Sequence, residues 1–554
     1  MAGNRNENGG YEKADIKYTA HMYSDRKNVN ILTSLMIAHG IKTVVVCPGS
    51  RNAPLAHNFV TCRKMQCVAV TDERSAGFYA IGLAQASQRP VAVCVTSGTA
   101  LLNLAPAVAE ASLQNIPLLV VSSDRPQALI GQLQGQTLPQ PGVFGTLAKC
   151  SVTLPEPHDE VEHWYCNRLV NEALLALTST GGAPVHINVP VSEPLYRFTV
   201  ASLPAERKIN HVPPVADIAA VASVVEALSQ SPSPMIVVGQ MPRHVWRTIS
   251  HSLDKLRQTV VVLSEKLSDD SPEPLPSLDM MAEAIGDDAC WQPDTILYIG
   301  GHVVSKTMLH FLQHSHPRRS ILVNRTGVIT DVLMNVTDVV VADEKTVIDA
   351  AASACDGVVA GEWHQRWQQL AARCTAAVAR RKEDYSQESA VRCFFHAIKG
   401  RQMDVHVANS MAVRTSLLFA DRHLFVNRGC NGIEGSLSVA AGYSLMSPVP
   451  VACIIGDLSF FYDANALWHR SLCGNLRILL VNNGCGGIFR RFTQLEDSPA
   501  ETYVMAHHNT SARGACLQNG VVYRQVTCCE DLTDGIRWLV ETSSTQPMLL
   551  EVMI

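Results

Sequence analysis

Short apolar runs rich in β-branched residues recur along the chain, and each is followed by a stretch of helical composition. Such runs are typical of strands buried on both faces, so their alternation with helices predicts an α/β protein with mostly parallel, doubly wound sheets. The runs fall into three sets: one within the first 125 residues, one spanning about 233–345, and one after the charged, Ala-rich stretch AARCTAAVARRKED. A chain of 554 residues has room for three to four domains of roughly 150 residues each, so we expect one domain per set.

The same three sets suggest the domain limits. We predict a polar N-terminal tail over residues 1–24 and α/β domains over 25–200, 210–365 and 385–554. Proline and charged residues cluster near 190–215, and a charged helix covers about 365–390, so both stretches are interpreted as boundaries. The middle domain is expected to be Rossmann-like, because it too alternates apolar strands with helices.

The first and third sets resemble each other. Gly98 and Asp124 are as far apart in sequence as Gly456 and Asn482, and each pair spans a Gly turn, a helix and a second apolar strand. Upstream, the Ala- and Gly-rich stretch AGFYAIGLA parallels SVAAGYS. Two interpretations are open: any two doubly wound halves look alike, or a duplicated domain has diverged so that its copies bind opposite ends of one ligand.

Composition narrows the class of protein. Apolar residues make up 47% of the chain and charged residues 17%, with a formal net charge of -5. These values argue against a disordered chain and against a protein whose surface is built to bind nucleic acid or an anionic membrane. No apolar run reaches the roughly 18 residues of a membrane span, and the polar N-terminus lacks the apolar core of a signal peptide. Many of the 17 cysteines lie in apolar runs, which is typical of buried, reduced thiols, so we expect a cytoplasmic protein.

The third set contains the sharpest functional signal, Gly456-Asp457 followed by Asn482-Asn483. Ligands bind beyond the carboxyl ends of parallel strands, and each pair follows such a strand. A carboxylate, an amide oxygen and a backbone carbonyl are hard-oxygen ligands suited to Mg²⁺, and the glycines after Asn483 let the backbone approach a ligand closely. Ordinary strand-end turns also produce this pattern by chance, so other segments must support it.

The pattern resembles the motif of the thiamine-diphosphate-dependent enzymes, which runs from Gly-Asp-Gly to Asn-Asn. Leu458 stands where the last Gly is usual, a departure typical of one branch of that superfamily. The segments CPGSRNAPL, DERSAGF, SSDRP, NSMAVR, NRGCNGIEGSLS and GDLSFFYDANAL together resemble the menaquinone-pathway synthases that form 2-succinyl-5-enolpyruvyl-6-hydroxy-3-cyclohexene-1-carboxylate. The resemblance covers both outer domains and is much weaker in the middle region. It implies a thiamine-diphosphate-binding fold with a pyrimidine-binding first domain and a diphosphate- and metal-binding third domain.

The resemblance also implies roles for particular residues. Glu73 is the carboxyl group expected to bond the aminopyrimidine ring of thiamine diphosphate and to act in catalysis; its other interpretation is an acid that complements a helix N-terminus. Asp457, Asn483 and the backbone of Cys485 are the implied ligands of Mg²⁺ or Mn²⁺. The residues expected to bind the cofactor are Glu73, Arg428, Asn431, Gly432, Ile433, Gly456, Asp457, Leu458, Ser459, Asn483 and Ile488.

Two of these positions depart from the family pattern, and one has a second interpretation. Asn431 stands where Ser is more usual, and Cys485 stands where the family more often has Gly after a third Asn. Ile433 aligns with the large apolar residue that supports the V-shaped cofactor. Its other interpretation is a plain core isoleucine.

The implied substrates, 2-oxoglutarate and isochorismate, are both dicarboxylates, which call for several cationic side chains. Arg51 and Arg125 each follow a strand, where an exposed cation would meet the crevice. Ser410 and Arg414 are four residues apart and would share a face of one helix. A single arginine is more often merely solvated. The residues implied in substrate binding are Ser50, Arg51, Arg125, Gln136, Lys306, Ser410, Arg414, Ile488 and Phe489.

Ile488 and Phe489 follow the metal loop and are expected to wall the site against water. Arg490 and Arg491 come next, and whether they add positive charge to the site is left open.

The implied reaction is a thiamine-diphosphate-dependent decarboxylation of 2-oxoglutarate, followed by 1,4-addition of the resulting succinyl-semialdehyde carbanion to isochorismate with its pyruvyl unit retained. Such an enzyme is a transferase. In this superfamily the two domains that share a cofactor usually come from different subunits. The resemblance therefore implies a homodimer or homotetramer with active sites at the subunit interface, and no nucleic-acid partner.

Three alternatives compete with this function. The nearest is another thiamine-diphosphate 2-oxoacid decarboxylase or an acetohydroxyacid-synthase-like carboligase. A cofactor-binding regulatory protein without activity and a dinucleotide-binding module belong to other classes. The sequence contains no strand–GxGxxG–helix fingerprint and keeps Glu73, Asp457 and Asn483, which disfavours both.

Overall fold

The structure, a computed structural model, describes residues 22–210, 217–355, 359–381, 384–491, 495 and 498–554.

The first sheet has six parallel strands in the spatial order β3-β2-β4-β5-β7-β6. They are β2 (Thr43–Val46), β3 (Gln66–Ala69), β4 (Val91–Val95), β5 (Leu118–Asp124), β6 (Cys150–Thr153) and β7 (Val185–Pro190). Its helices are α1 (Lys27–Ala38), α2 (Ala53–Thr61), α3 (Glu73–Ser87), α4 (Thr99–Leu102), α5 (Ala105–Leu113) and α6 (Glu160–Thr178). Separately, β1 (Tyr23–Ser24) pairs antiparallel with β8 (Phe198–Val200).

The second sheet has five parallel strands in the order β10-β9-β11-β12-β13. They are β9 (Pro234–Val238), β10 (Val261–Ser264), β11 (Thr295–Ile299), β12 (Arg319–Asn324) and β13 (Asp338–Val341). The helices of this region are α7 (Ile218–Gln230), α8 (Arg243–Leu256), α9 (Leu278–Ile285), α10 (Lys306–Gln313), α11 (Glu344–Ala354) and α12 (Glu362–Ala379).

The third sheet has six parallel strands in the order β15-β14-β16-β17-β19-β18. They are β14 (Asp404–Val407), β15 (Leu424–Phe425), β16 (Val451–Gly456), β17 (Leu476–Asn482), β18 (Val522–Val526) and β19 (Met548–Met553). Its helices are α13 (Gln387–Ile398), α14 (Met411–Phe419), α15 (Ser436–Ser444), α16 (Asp457–Tyr462), α17 (Glu501–Met505), α18 (Arg513–Asn519) and α19 (Cys529–Glu541).

The strands are buried on both faces, as their continuous apolar runs predicted. Along β4, Val91, Val93 and Val95 belong to one apolar cluster, whereas Ala92 and Cys94 belong to another on the opposite face. Successive side chains of a strand point to opposite faces, so a sheet covered by helices on both sides needs apolar residues at every position. The predicted α/β class with parallel, doubly wound sheets is confirmed.

The first and third sheets have the same topology. When the strands of each sheet are numbered along the chain, both sheets place them in one spatial order, with the chain-last strand inside the edge strand before it. The middle sheet shares that order over its first four strands and has five in all. The similarity between the two outer sequence sets therefore corresponds to a shared strand order.

Helices α3 and α15 cross in close contact and join the first domain to the third. A Cβ atom added at Gly82 would lie 2.2 Å from the carbonyl oxygen of Val439, and one added at Gly442 would lie 2.5 Å from that of Tyr79. Each helix thus places a glycine so close to the backbone of the other helix that no side chain would fit between them. One apolar cluster runs through both domains, from Tyr79 and neighbouring residues to the third sheet.

Two predicted limits differ in detail from the elements found. Tyr23 and Ser24, placed in the N-terminal tail by the sequence, form strand β1; residues 1–21 lie outside the described residues. Helix α12 passes through residue 365, and its Trp367 and Leu370 belong to an apolar cluster of the middle sheet. The domain limits themselves stay predictions. None of the described helices combines the length and the apolar character that a bilayer span requires.

Replacement of Gly82 by alanine tests the helix crossing. Because the new methyl group would lie 2.2 Å from a backbone oxygen, we expect a lower midpoint of thermal unfolding, corresponding to a loss of about 1–3 kcal/mol from overpacking. Gly514→Ala is the matched control, since Gly514 lies in helix α18 with open space around its Cβ position. Alanine there should stabilise the protein by about 0.5–1 kcal/mol. An unchanged midpoint in Gly82→Ala would contradict the close crossing.

Candidate active site

Two neighbouring strands of the third sheet end at the candidate metal loop. Strands β16 and β17 run parallel, with Gly456 opposite Val481, so Asp457 and Asn483 follow adjacent strand ends. Asp457 is buried and begins α16, whose first turn also contains Leu458 and Ser459. Its Oδ1 accepts a hydrogen bond of 2.6 Å from the Leu458 amide, and its Oδ2 accepts one of 3.0 Å from the Asn483 amide. The carboxylate is therefore held in one orientation at the sheet edge.

Three oxygen atoms converge at this point. Oδ1 of Asn483 lies 3.1 Å from Oδ2 of Asp457 and 2.7 Å from the carbonyl oxygen of Cys485. Oxygens at these distances repel unless a cation lies among them, or unless the Asn483 amide turns so that its nitrogen donates to both. An octahedral Mg²⁺ binds oxygens at about 2.1 Å, which places neighbouring ligands about 3 Å apart. The donor set therefore fits a divalent cation, and it consists of the three residues implied by the sequence.

This candidate ligand set contains only one carboxylate, together with a side-chain amide and a backbone carbonyl, so it is not an ordinary cluster of acidic residues or histidines. Within the described ranges, no group of three or more His, Cys, Asp or Glu residues is arranged to hold a metal ion. Glycines close the loop: Gly484 has φ +68°, and a Cβ atom at Gly487 would lie 2.3 Å from the side-chain nitrogen of Asn483. That these glycines let the backbone approach a ligand closely stays a prediction.

His508 faces the same carboxylate. Its Nε2 lies 3.5 Å from Oδ2 of Asp457, and its backbone amide donates a 2.8 Å hydrogen bond to the Gly484 carbonyl. The Nε2 atom is buried and has no hydrogen-bond partner among the described residues. Sequence reasoning missed His508, because it lies on a distant loop with no spacing relation to Asp457.

The loop over residues 426–434 carries four of the residues implied in cofactor binding. Asn431 has a left-handed backbone conformation with φ +61°, which Asn tolerates better than most residues. Ile433 is 41% exposed, so its interpretation as a plain core isoleucine is wrong. Arg428 donates a 3.2 Å hydrogen bond to Oδ1 of Asn409, and burial lowers the pKa of the Arg428 guanidinium. Gly432 lies between Asn431 and Ile433, half-buried.

Glu73 is the first residue of α3, at the N-terminal position that its alternative interpretation required. The capping bond is made by its neighbour, since Asp72 accepts a 2.9 Å hydrogen bond from the Ser75 amide. Within the described part of the chain, the Glu73 carboxylate makes no hydrogen bond or ion pair. It is half-buried, and its charge raises the pKa of the buried Cys47 thiol, although burial is the larger cause.

A cleft of about 710 Å³ lies between the middle and third domains, within the usual size range of small-molecule sites. Four residues implied in substrate binding line it: Lys306, Arg414, Ile488 and Phe489. Lys306 begins helix α10, and Arg414 has its Nη1 3.6 Å from Oδ2 of Asp279. Both cations therefore reach one cavity from different domains.

Ser410 does not share a helix face with Arg414, so that expectation was wrong. Helix α14 begins at Met411, and Ser410 precedes it with φ +67°. A positive φ is uncommon in residues other than glycine. Such strained positions in non-glycine residues cluster at functional sites.

The remaining substrate-binding candidates lie at the carboxyl edge of the first sheet. Arg51 is buried, not an exposed cation as expected, because its guanidinium donates 3.0 Å hydrogen bonds to the Val191 carbonyl and to Oε1 of Glu193. Arg125 donates to the Gly135 carbonyl at 2.8 Å. The other candidates at this edge are Ser50 and Gln136, both exposed.

The structure separates these candidates into two groups. In the described part of a single chain, no hydrogen bond or ion pair joins Glu73 or the first-sheet group to the metal loop. Arg490 donates a 3.3 Å hydrogen bond to the Cys485 sulfur, and the side chain of Arg491 lies outside the described residues. One chain thus presents a metal loop with a cationic cleft, and a separate edge with Glu73.

Sequence matches define the class of protein. Residues 26–143 match the family described as thiamine pyrophosphate enzyme, N-terminal TPP binding domain, and residues 408–552 match the corresponding C-terminal TPP binding domain. The chain is therefore a thiamine-pyrophosphate (thiamine-diphosphate) enzyme.

Individual relatives narrow the class further. The chain is 42% identical over 542 residues to the 2-succinyl-5-enolpyruvyl-6-hydroxy-3-cyclohexene-1-carboxylate synthase of Bacteroides thetaiotaomicron, covering 96% of each protein. The synthase of the same name from Phocaeicola vulgatus is 41% identical over 544 residues, 96% of each protein. That of Desulfotalea psychrophila is 32% identical over 544 residues, 96% of this chain and 98% of the relative. The chain belongs to this synthase family, and the resemblance inferred from its motifs is confirmed.

Replacement of Asp457 tests the metal loop. Even outer partners of metal ligands contribute about 10- to 100-fold to affinity, so Asp457→Ala should weaken binding of thiamine diphosphate with Mg²⁺ by more than about 100-fold. Titration calorimetry of the metal-free chain measures this affinity. Asp457→Asn keeps the shape of the side chain and should also bind weakly, because it removes the charge. Asp534→Ala, an exposed carboxylate of the third domain paired with Arg524, is the control, and equal affinity in all variants would contradict the metal assignment.

Proposed function

We propose that the protein converts 2-oxoglutarate and isochorismate into 2-succinyl-5-enolpyruvyl-6-hydroxy-3-cyclohexene-1-carboxylate and CO₂. The observation that carries the proposal is the convergence of the Asp457 carboxylate, the Asn483 side-chain amide and the Cys485 carbonyl in a member of this synthase family. Membership of that family favours this reaction over a general 2-oxoacid decarboxylase or an acetohydroxyacid-synthase-like carboligase. Bound thiamine diphosphate supplies the electron sink that lets a 2-oxoacid lose CO₂.

The third domain would hold the diphosphate end of the cofactor. Asp457, Asn483 and the Cys485 carbonyl would bind Mg²⁺ or Mn²⁺, which keeps further positions for phosphate oxygens and water. Gly456, Leu458 and Ser459 bring the backbone to the same strand end. The exposed Ile433 on the loop over 426–434 would provide apolar contact for the cofactor.

The cleft between the middle and third domains would bind a dicarboxylate substrate. Lys306 and Arg414 enter it from two domains, and an arginine fork binds a carboxylate with two parallel hydrogen bonds. Asp279 lies beside Arg414, so an incoming carboxylate would compete with it for the guanidinium. Ile488 and Phe489 line the same cleft and would exclude water, which would otherwise quench the decarboxylated species.

We further propose that the active site is completed by a second copy of the chain. The edge of the first sheet carries Glu73, Ser50, Arg51, Arg125 and Gln136, and these residues have no polar contact with the metal loop of their own described chain. A homodimer, or a homotetramer built from such dimers, would bring this edge to the metal loop of the partner. Glu73 would then hydrogen-bond the pyrimidine ring of the cofactor.

The proposed compartment is the cytoplasm. No disulfide joins any of the described cysteines, and several thiols, such as those of Cys94 and Cys453, are fully buried in the cores. Thiols of this kind are typical of proteins in a reducing compartment.

A turnover assay tests the proposed reaction. The purified protein, supplied with thiamine diphosphate and Mg²⁺, should release CO₂ from 2-oxoglutarate at its full rate only when isochorismate is present. Omission of the cofactor should abolish the reaction. Efficient conversion of pyruvate to acetolactate would instead identify a different carboligase and overturn the proposal.

Glu73→Gln should lower kcat by about 10²- to 10⁴-fold, the usual contribution of a positioned acid–base group, with little change in affinity for thiamine diphosphate and Mg²⁺. The amide keeps the size of the side chain but cannot share a proton with the ring in the same way. Steady-state kinetics and calorimetry separate the two effects. Glu172→Gln, an exposed carboxylate of helix α6, is the control. Full activity in Glu73→Gln would remove its catalytic role.

Arg414→Ala should raise KM for a dicarboxylate substrate by about 10- to 100-fold, the range expected for a charge-assisted hydrogen bond. The exposed Arg168→Ala on helix α6 should change neither KM nor kcat, because Arg168 pairs with Glu172 at the surface. KM values unchanged for both substrates in Arg414→Ala would exclude this arginine from substrate binding.

A further inference from the structure

A buried carboxylate of the first domain reaches into the third domain beside the cofactor loop. Glu110 lies on helix α5 and is 2% exposed. Its Oε1 accepts a 2.9 Å hydrogen bond from the Gly429 amide, and its Oε2 accepts a 2.7 Å hydrogen bond from the Cys430 amide. Gln114, one turn further along, also donates to Oε1. Both oxygens of the carboxylate are thus engaged by successive amides of one loop.

That loop, residues 426–434, has little support of its own. It lies wholly within the described residues, and no backbone–backbone hydrogen bond is made by any of its amides or carbonyls. Side chains hold its ends instead: Gln240 of the middle domain donates to the Val426 carbonyl at 2.8 Å. Asn409 donates to the carbonyls of Asn427 at 2.6 Å and Gly432 at 2.9 Å. Between those ends, and counting partners among the described residues, only the two amides bound by Glu110 are held by a hydrogen bond.

The close approach of Glu110 also explains the glycine in the loop. A Cβ atom at Gly429 would lie 3.0 Å from Oε2 of Glu110 and 3.0 Å from the Cβ of Leu113. A side chain at this position would push the loop away from helix α5. Gly429 on the loop and Glu110 on helix α5 are therefore the two partners of a single contact.

We propose that Glu110 is a positioning residue that sets the conformation of the cofactor loop across the boundary between the first and third domains. A buried carboxylate that accepts two amide hydrogen bonds is a strong and directional restraint, because hydrogen bonds to a charged group are stronger than neutral ones. It acts immediately before Asn431, Gly432 and Ile433, and immediately after Arg428. The inference rests on the proposed assignment of these residues to cofactor binding.

The contacts of Glu110 with the loop backbone make its expected effect specific. Glu110 is enclosed by its own helix and the loop backbone, so it acts through the position of Arg428 and Ile433. Loss of the restraint should let the loop sample other conformations, and the cofactor would then bind to a fraction of the molecules. Affinity for the cofactor should fall, whereas the dicarboxylate cleft at Lys306 and Arg414 should keep its affinity.

Glu110→Gln and Gly429→Ala test the proposal from the two sides of the contact. In Glu110→Gln the amide can accept from one N–H but presents its own N–H₂ group to the other. Titration calorimetry of the cofactor-free chain with thiamine diphosphate and Mg²⁺ should show the dissociation constant raised about tenfold in each variant. In kinetics, KM for thiamine diphosphate should rise while KM for 2-oxoglutarate stays within about twofold. Glu172→Gln is the matched surface control.

A double variant distinguishes positioning from a general loss of stability. If both changes act through one contact, Glu110→Gln with Gly429→Ala should weaken binding by clearly less than the product of the single effects. Dissociation constants equal to that of the unmodified chain, with only the thermal midpoint or the active fraction lowered, would overturn the proposal and leave Glu110 a structural residue.

The result remains separable from the proposed function. Loss of binding in Asp457→Ala together with full affinity in both Glu110→Gln and Gly429→Ala would overturn this inference alone. No binding of thiamine diphosphate by the unmodified chain would overturn the cofactor assignment and the inference with it.

Discussion

The crossing of helices α3 and α15 is the contact on which the arrangement of the outer domains depends. Gly82 and Gly442 let each helix rest against the backbone of the other, and a single apolar cluster continues from one domain to the next. Both helices begin beside functional segments: Glu73 is the first residue of α3, and the loop that carries Ile433 leads into α15. Because the two helices cross so closely, the crossing fixes where Glu73 and the loop that carries Ile433 lie relative to each other within one chain. These two segments are the halves of the proposed cofactor site.

Polar groups at the domain boundaries then position the loops that the cores leave free. Glu110 from the first domain and Gln240 from the middle domain both bond the loop over 426–434, and Asp279 of the middle domain faces Arg414 of the third. The formal net charge of -5 says little about such a site, because cations from different domains converge locally on one cleft. The proposed recognition of a dicarboxylate would depend on that local field rather than on the global charge.

Several residues show how far the sequence could lead. Asp457 and Asn483 were found because each directly follows a strand, and parallel strands that are neighbours place their carboxyl ends together. Ser410 was misplaced because spacing alone could not reveal that its backbone is left-handed and that the helix starts after it. Arg51 was expected to be exposed, yet partners 140 and 142 residues away bury it. Glu110 and His508 were missed because their partners are distant in sequence and follow no periodicity.

By itself, the sequence determined the class of fold, the number of α/β units, the residue types at the candidate metal loop and the family to which the chain belongs. These follow from local chemistry: hydrophobic periodicity, strand-end residues and glycines act over a few residues and are visible in the printed order. Only the tertiary structure decided which residues meet, namely Glu110 with the loop over 426–434, Lys306 with Arg414 in one cleft, and Gly82 with Val439. Such contacts join residues far apart in the chain, and packing of the three sheets alone brings them together.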